Sequence, residues 1–252
     1  GWAIVGLTLL MQTVSSGLGF YNMSVYINRL SAQLAVSSAD TSFAVSLFFV
    51  VGGVAGLYVA DLLRVWSVRT VVIAGALVSG VAVALVGFAD QLWQVYALFT
   101  LFGIGNAGIS IVISTTLITR WFPGPERSMA LAVGSTGLSL GGFLITPLTA
   151  YVMNGWGFDL TMHWLGVFLV LSVVPIALFL RFPSNEESSA HNAADTGQLS
   201  AQLAASLAAA LRSRFYILLA VAYVLIMGSQ VGSIAHLYSR VELLGDLSLI
   251  HI

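Results

Sequence analysis

The chain has 252 residues, of which 58% are hydrophobic and 8% are charged, and its formal net charge is -1. Soluble domains carry roughly 25% charged residues, so this composition excludes an ordinary soluble surface. The absence of cysteine excludes a disulfide framework, a thiolate metal site and a cysteine nucleophile. The nearly neutral charge gives no electrostatic basis for binding nucleic acid.

Charged residues divide the chain into seven uncharged stretches. Each stretch is long enough to cross the roughly 30 Å hydrocarbon layer, which takes about 20 helical residues. We therefore predict an all-α, polytopic transmembrane helical bundle. Its first to seventh spans lie between these charged residues or chain ends: Gly1 and Arg29, Asp40 and Asp61, Arg69 and Asp90, Asp90 and Arg120, Arg127 and Asp159, Asp159 and Arg181, and Arg214 and Arg240.

The distribution of arginine predicts the orientation of these spans, since the chain has no lysine. If the turns after the second, fourth and sixth spans share one side of the membrane, the opposite side holds only Arg29 and Arg240. The shared side then holds Arg64, Arg69, Arg120, Arg127, Arg181, Arg212 and Arg214. Positive residues concentrate in cytoplasmic loops, so we predict that these three turns face the cytoplasm of a multi-pass cell-membrane protein. The lipid bilayer is the first expected partner, and the oligomeric state stays open.

The polar stretches indicate four segments along the chain. We expect an N-terminal six-helix half at 1–182, a cytoplasmic linker at 183–212, a seventh helix at 213–246 and an unassigned tail at 247–252. Gly1 is not a start methionine and adjoins an apolar run, so residues before it are expected to be missing. In the linker, leucines four residues apart fit either a helix on the membrane surface or an alanine-rich helix without lipid contact: Leu199, Leu203, Leu207 and Leu211.

Polar and small residues form stripes on the first and fourth spans. On the first span they cover about a third of the helix circumference and comprise Gln12, Ser15, Ser16, Gly19 and Asn22. On the fourth they are Gly103, Asn106, Ser110 and Ser114. Such stripes serve either tight helix packing or the lining of a polar cavity. A buried amide needs a partner or water, which favours a cavity. The cavity candidates of these spans are Gln12, Asn22, Asn106 and Ser110.

The seventh span adds two cavity candidates, Gln230 and His236. A histidine in a membrane helix can titrate near physiological pH and relay protons. It can equally lie near the outer interface and simply form a hydrogen bond. The sequence leaves both interpretations open.

Glycines follow one face of the fifth span. Gly134, Gly137 and Gly141 have the spacing that lets another helix backbone approach closely, and Pro147 is expected to introduce a kink. We interpret these glycines as helix-packing residues.

Enzyme chemistry finds no support in the sequence. The string from Gly103 to Gly108 matches a dinucleotide fingerprint, but it lies inside a membrane helix with no preceding strand. No pair of histidines has metal-ligand spacing and no acid lies deep in a span, so neither a metal site nor carboxylate catalysis is indicated. We expect a protein that is not an enzyme, without cofactor or metal.

Two motifs carry a resemblance to a known family. The first is Arg120-Trp121-Phe122 followed by Arg127-Ser-Met-Ala-Leu-Ala, the fifth-span glycines and Pro147. The second is Gly232-Ser-Ile-Ala-His236-Leu in the seventh span. Over residues 1–246 the chain resembles the major facilitator superfamily, and within it the monocarboxylate and oxalate/formate transporter-like branch. The resemblance implies a twelve-helix fold, truncated here to the first half and the seventh helix, in which the first, fourth and seventh spans line a central cavity.

The loop between the second and third spans departs from the pattern of that branch. The branch usually carries Gly-x-x-x-Asp-Arg-x-Gly-x-Arg, whereas Arg64 here occupies the aspartate position and Asp61 lies about one turn earlier. The charge network of the cytoplasmic gate therefore stays open. Its candidate residues are Asp61, Arg64, Arg69, Arg120 and Arg127.

The resulting functional hypothesis is a secondary active transporter that works by alternating access on a small organic anion such as a monocarboxylate. Coupling to protons and exchange are both compatible with it. The alternative is a membrane scaffold or sensor of the same fold that does not transport. In the branch, a cationic residue of the second half often holds the substrate carboxylate, so the resemblance implies that the second half contributes to substrate identity.

Overall fold

The computed structural model describes residues 1–183 and 213–243, the latter without the side chains of 231 and 234–243. The described residues are all-α and contain ten α-helices and two π-helical turns, Gly17–Tyr21 and Gly141–Ile145. The α-helices are α1 (Trp2–Ser16), α2 (Met23–Leu34), α3 (Ser38–Val65), α4 (Val68–Val86), α5 (Leu92–Ala107), α6 (Ile111–Trp121), α7 (Arg127–Leu140), α8 (Thr146–Trp156), α9 (Phe158–Phe179) and α10 (Arg214–Leu243).

Contacts divide the chain into two units after Phe182, and α10 belongs to the second unit. The predicted linker, apart from Pro183, and the predicted tail lie outside the described residues. We describe Gly1–Phe182 as the first unit and α10 by itself.

Six segments of the first unit are long and apolar enough to cross a membrane, which confirms the predicted membrane bundle. They coincide with the first six predicted spans, and we keep the names first to sixth span for them. These segments are Trp2–Tyr21, Ser38–Val65, Val68–Val86, Leu92–Trp121, Arg127–Trp156 and Phe158–Phe179. In α10 the apolar portion is Arg214–Gln230.

Serine caps define where α3 and α4 begin. Ser37 Oγ accepts a hydrogen bond from the Asp40 backbone N–H at 3.2 Å, and Ser67 Oγ accepts one from Thr70 at 3.2 Å. Each cap satisfies a backbone donor that the first helical turn leaves unpaired. The two serines are exposed and lie at opposite ends of the second span.

Cysteine labelling at these two caps tests the predicted orientation. In this cysteine-free chain, Ser37→Cys should react with an impermeant maleimide added outside intact cells, whereas Ser67→Cys should react only after permeabilisation. Both variants lose the same kind of N-cap, worth about 1 kcal/mol, so each controls for the other. Ready labelling of Ser67→Cys in intact cells would reverse the orientation.

Glycines bring the helix backbones of the first unit close together. A Cβ at Gly80 in α4 would lie 2.8 Å from the Gly166 carbonyl oxygen in α9, and one at Gly52 in α3 would lie 3.1 Å from the Gly103 oxygen in α5. Small residues at such crossings allow extensive van der Waals contact between membrane helices. The helices therefore pack backbone against backbone at these points.

The string from Gly103 to Gly108 lies between α3 and α4. Gly103 approaches the α3 backbone at Phe48, and a Cβ at Gly105 would lie 2.6 Å from the Ser79 nitrogen in α4. A Cβ at Gly108 would lie 3.1 Å from the Val71 carbonyl oxygen, also in α4. These glycines serve helix packing within the bundle.

Candidate functional site

Three of the six spans contain an irregular turn, which in the first span forms the last five residues before α2 continues the helix. The first span contains the π turn Gly17–Tyr21, the fifth contains the π turn Gly141–Ile145, and the fourth breaks at a turn between α5 and α6. Irregular backbone at membrane depth is tolerated only where protein covers it or where it lines a water-filled cavity, and π turns occur frequently at functional sites. The interruptions therefore mark the candidate site.

The sequence analysis treated these spans as continuous helices and expected only a kink at Pro147. The structure corrects this expectation. The irregular turn Gly141–Ile145 immediately precedes Pro147, whose missing N–H leaves a carbonyl oxygen one turn earlier without its helical donor.

The first-span π turn approaches the irregular regions of both other spans. A Cβ at Gly17 would lie 2.9 Å from the Gly141 carbonyl oxygen, and one at Gly141 would lie 2.6 Å from the Gly17 nitrogen. On the other side of the first-span π turn, a Cβ at Gly19 would lie 3.3 Å from Asn106 Oδ1, just before the break in the fourth span. The first span thus lies between the broken parts of the fourth and the fifth.

Hydrogen bonds join the first span to both neighbours at this level. Ser15 Oγ donates to Asn106 Oδ1 at 2.9 Å, and Ser16 Oγ donates to the Leu138 carbonyl oxygen at 3.0 Å. Asn106 is half-buried, and its Nδ2 donates to no acceptor within the described residues. Asn106 therefore presents a hydrogen-bond donor that has no acceptor within the described residues, next to the turn between α5 and α6.

Asn22 occupies a closed environment between α2 and α8. It is fully buried, and its Nδ2 donates to Thr149 Oγ1 at 2.9 Å and to Tyr26 Oη at 3.3 Å. Its Oδ1 has no partner within the described residues. In this structure Asn22 packs rather than opens onto a cavity, and cavity lining by this residue stays a prediction.

Gln12 is also enclosed. This α1 residue is 1% exposed, and its Cβ lies 3.0 Å from where a Cβ on Gly137 in α7 would be. Its Nε2 has no hydrogen-bond partner within the described residues. Gly134 and Gly141 lie on the same side of the fifth span, against Ile118 and Ser16. The first span is thus the main partner of the glycine face.

The remaining cavity candidates fall into two groups. Ser110 caps α6, because its Oγ accepts from the Val112 N–H at 3.3 Å and donates to the Ala107 carbonyl oxygen at 2.9 Å. Gln230 is exposed on α10, and the His236 side chain lies outside the described residues. A cavity shared by Asn22, Asn106 and His236 therefore stays a prediction.

An aromatic cluster that the sequence analysis missed adjoins the first-span π turn. The Phe20 ring lies edge-on to Tyr21 and to Phe49, with centroids 5.0 and 5.7 Å apart, and Phe49 continues to Phe48 at 5.1 Å. Phe20, Tyr21 and Phe49 are half-buried. Aromatic residues in an apolar span carry no periodicity signal of their own, so only the contacts reveal the cluster.

Comparison with known families identifies the architecture. The sequence profile of the Major Facilitator Superfamily matches residues 9–248. The chain belongs to the major facilitator superfamily. The predicted resemblance is confirmed, and the chain is a multi-pass membrane protein.

Curated relatives of this superfamily are similar to the chain at low identity. The probable sulfoacetate transporter SauU of Cupriavidus necator is 25% identical over 182 residues, which cover 71% of the chain and 40% of the relative. Human monocarboxylate transporter 6 is 29% identical over 172 residues, covering 67% and 32%. Mouse monocarboxylate transporter 11 is 23% identical over 180 residues, covering 71% and 38%. The chain thus spans about two fifths or less of these relatives. All three are named as transporters, which confirms the prediction that the protein is not an enzyme.

The cytoplasmic gate candidates of this superfamily member form two separate sets of contacts. Arg64 pairs with Asp61 at 3.5 Å within α3, but both side chains are more than two thirds exposed, and such pairs contribute little to stability. Arg127 begins α7 and is exposed, and its side chain has no hydrogen bond or ion pair within the described residues.

The other two gate candidates bind the chain that follows α9. Arg69 Nε donates to the Leu180 carbonyl oxygen at 2.9 Å, and the Arg120 guanidinium lies 4.2 Å above the Phe182 ring. Trp121 Nε1 adds a hydrogen bond of 2.8 Å to the Arg181 oxygen. These contacts hold the end of the sixth span against the predicted cytoplasmic ends of the third and fourth spans, and a gate role for the two arginines stays a prediction.

Proposed function

We propose that the chain is the N-terminal half, with the seventh helix, of a secondary transporter that works by alternating access. Its substrate is a small organic anion such as a monocarboxylate, moved with a proton or by exchange. Residues 1–182 form the first half, 183–212 the cytoplasmic linker, and 213–246 open the second half. Membership of the superfamily and the similarity to relatives named as transporters support transport of this kind.

The approach of the first-span π turn to the irregular regions of the fourth and fifth spans carries this proposal. Gly17 approaches the Gly141 backbone, and Gly19, two residues further along the first span, approaches the Asn106 side chain. These parts of the three spans therefore lie at one level of the bundle. In secondary transporters, substrate sites near the midplane are typically formed by discontinuous helices, and alternating access moves one bundle against the other around such a site.

The charge distribution of the first half leaves the neutralisation of an anionic substrate to the second half. Within the described part of the first unit, every arginine lies in a terminal turn of a candidate span or outside the spans, as the positions of Arg29, Arg64, Arg69, Arg120, Arg127 and Arg181 show. The first half thus offers neutral donors and aromatic surface at mid-depth, and the cation that neutralises the anion is assigned to the second half. In the seventh helix, Gln230 and His236 are the proposed contributors to substrate binding and proton coupling.

Reconstitution of the complete gene product tests the proposal. Proteoliposomes should accumulate labelled pyruvate or sulfoacetate saturably, either under an inward proton gradient or by exchange with internal substrate. Pyruvamide, a neutral analogue, should compete poorly because it lacks the charge. If the folded protein gives neither uptake nor exchange above protein-free liposomes, the scaffold or sensor alternative becomes the better account.

A further inference from the structure

We propose that Asn106 is the group through which the first half hydrogen-bonds the transported anion, and that Ser15 is the residue that positions it. The inference rests on the proposed transport function. It goes beyond that function by naming the residue that contacts the anion and by assigning the hydrogen-bond donor to Asn106. It begins from the 2.9 Å hydrogen bond that Ser15 Oγ donates to Asn106 Oδ1 across the first and fourth spans.

That hydrogen bond determines which end of the amide is available. An asparagine side chain offers an acceptor oxygen and an NH₂ group with two donors. Because Ser15 occupies the oxygen, the half-buried Asn106 presents an NH₂ group that has no acceptor within the described residues. A donor left in this way at membrane depth binds an oxygen-rich anion or water, since hydrocarbon cannot satisfy it.

The backbone of the first-span π turn keeps the amide accessible. A Cβ at Gly19 would lie 3.3 Å from Asn106 Oδ1 and 3.4 Å from Nδ2, so any larger residue at this position would crowd the amide. The same Cβ would lie 3.2 Å from the Phe48 ring. Gly19 therefore leaves room for both the Asn106 amide and the Phe48 ring.

This environment suits a carboxylate with a short apolar part. Hydrogen bonds strengthen where the local dielectric is low, and bonds to charged groups are worth about 1.5–3 kcal/mol. Phe20 and Phe49, half-buried beside the π turn, offer apolar surface at the same level. The expected ligand is thus a monocarboxylate whose oxygen accepts from Asn106 Nδ2–H while its carbon chain faces the rings.

The variant Asn106→Asp tests the polarity of this contact. It retains an oxygen for Ser15 but replaces the NH₂ donor by a second carboxylate oxygen, which repels an anionic substrate. In exchange of labelled pyruvate at equal pH on both sides of the membrane, we expect the KM at pH 7.5 to rise about tenfold or more over the parent protein.

Ser15 variants test the positioning independently of the charge. Ser15→Ala frees the amide to turn its oxygen toward the substrate, and we expect the KM for pyruvate to rise about three- to fivefold with kcat nearly unchanged. Ser15→Thr keeps a hydroxyl and should restore the parent KM. Ser46→Ala is the matched control, because Ser46 Oγ bonds only the Ser42 carbonyl oxygen of its own helix.

The outcomes separate this inference from the proposed function. Exchange by the parent protein together with parent-like KM values for Asn106→Asp and Ser15→Ala would overturn the inference and leave transport intact. So would a loss of kcat alone that Ser15→Thr does not reverse, because that pattern describes a packing role. Absence of exchange by the folded parent protein would overturn the proposed function and this inference with it.

Discussion

Alanine at Gly137 is expected to destabilise the protein, whereas alanine at Gly6 is not. A Cβ on Gly137 would meet the Leu9 carbonyl oxygen of α1 at far less than contact distance and the Gln12 Cβ at 3.0 Å, whereas nothing lies within 4 Å of a Cβ on Gly6. The obstructing atoms at Gly137 belong mostly to backbone, so the first and fifth spans must separate. Overpacking of this kind costs about 1–3 kcal/mol, and we expect Gly137→Ala near the upper limit and Gly137→Leu beyond it.

Thermal unfolding of the purified complete protein measures this difference. Gly6→Ala should match or slightly exceed the parent midpoint, since alanine is the better helix former by about 1 kcal/mol. Gly137→Ala should unfold at lower temperature and reach the membrane in smaller amount. Equal midpoints for the two variants would contradict the close approach of α7 to α1.

Alanine at Gly105 is the second substitution with a large expected effect. Its Cβ would lie 2.6 Å from both the nitrogen and the Oγ of Ser79 in α4 and 2.8 Å from the Gly75 oxygen. The α4 backbone would have to move, so we expect a loss of about 2–3 kcal/mol. Gly53 in α3 provides the matched control, because a Cβ there has nothing within 4 Å.

The Gly105 experiment also distinguishes packing from phosphate binding by the glycine string. Under the packing interpretation, Gly105→Ala lowers the thermal midpoint while Gly53→Ala does not, and added dinucleotide leaves every midpoint unchanged. If Gly105 instead held a pyrophosphate, alanine would spare the fold and abolish a dinucleotide-dependent rise of the midpoint. A rise of the thermal midpoint of the parent protein on addition of dinucleotide would contradict the packing assignment.

The candidate site was predictable only as a set of helix faces. Helical periodicity assigns Ser15 and Asn106 to polar stripes of their own spans, because the helix face on which a side chain lies depends only on its position in the local sequence. The 2.9 Å bond between them joins residues far apart in the sequence, so it follows from which spans pack together. Periodicity also could not tell that Asn22 is enclosed and that its Nδ2 donates to Thr149, since the sequence pattern of a polar stripe does not show whether an amide contacts water or a threonine.

The π turns could not be predicted from the sequence for a related reason. A π turn inserts one residue into a helix and rotates the faces that follow, and glycine-rich segments such as Gly17–Tyr21 and Gly141–Ile145 are equally compatible with a continuous packed helix. The contact between the two turns stabilises the irregular geometry by covering it with protein. That cover exists only once both spans are in place.

The sequence by itself determined the membrane class, the six spans of the first unit and the glycine face of the fifth span. It could do so because charge is costly in hydrocarbon and because helical period places residues three or four apart on one face. Only the tertiary structure decided that this face meets α1, that the π turns of the first and fifth spans lie against each other, and that Arg69 and Arg120 hold the chain after α9. These features depend on the partner of each helix, and a partner is chosen by packing between distant segments rather than by local composition.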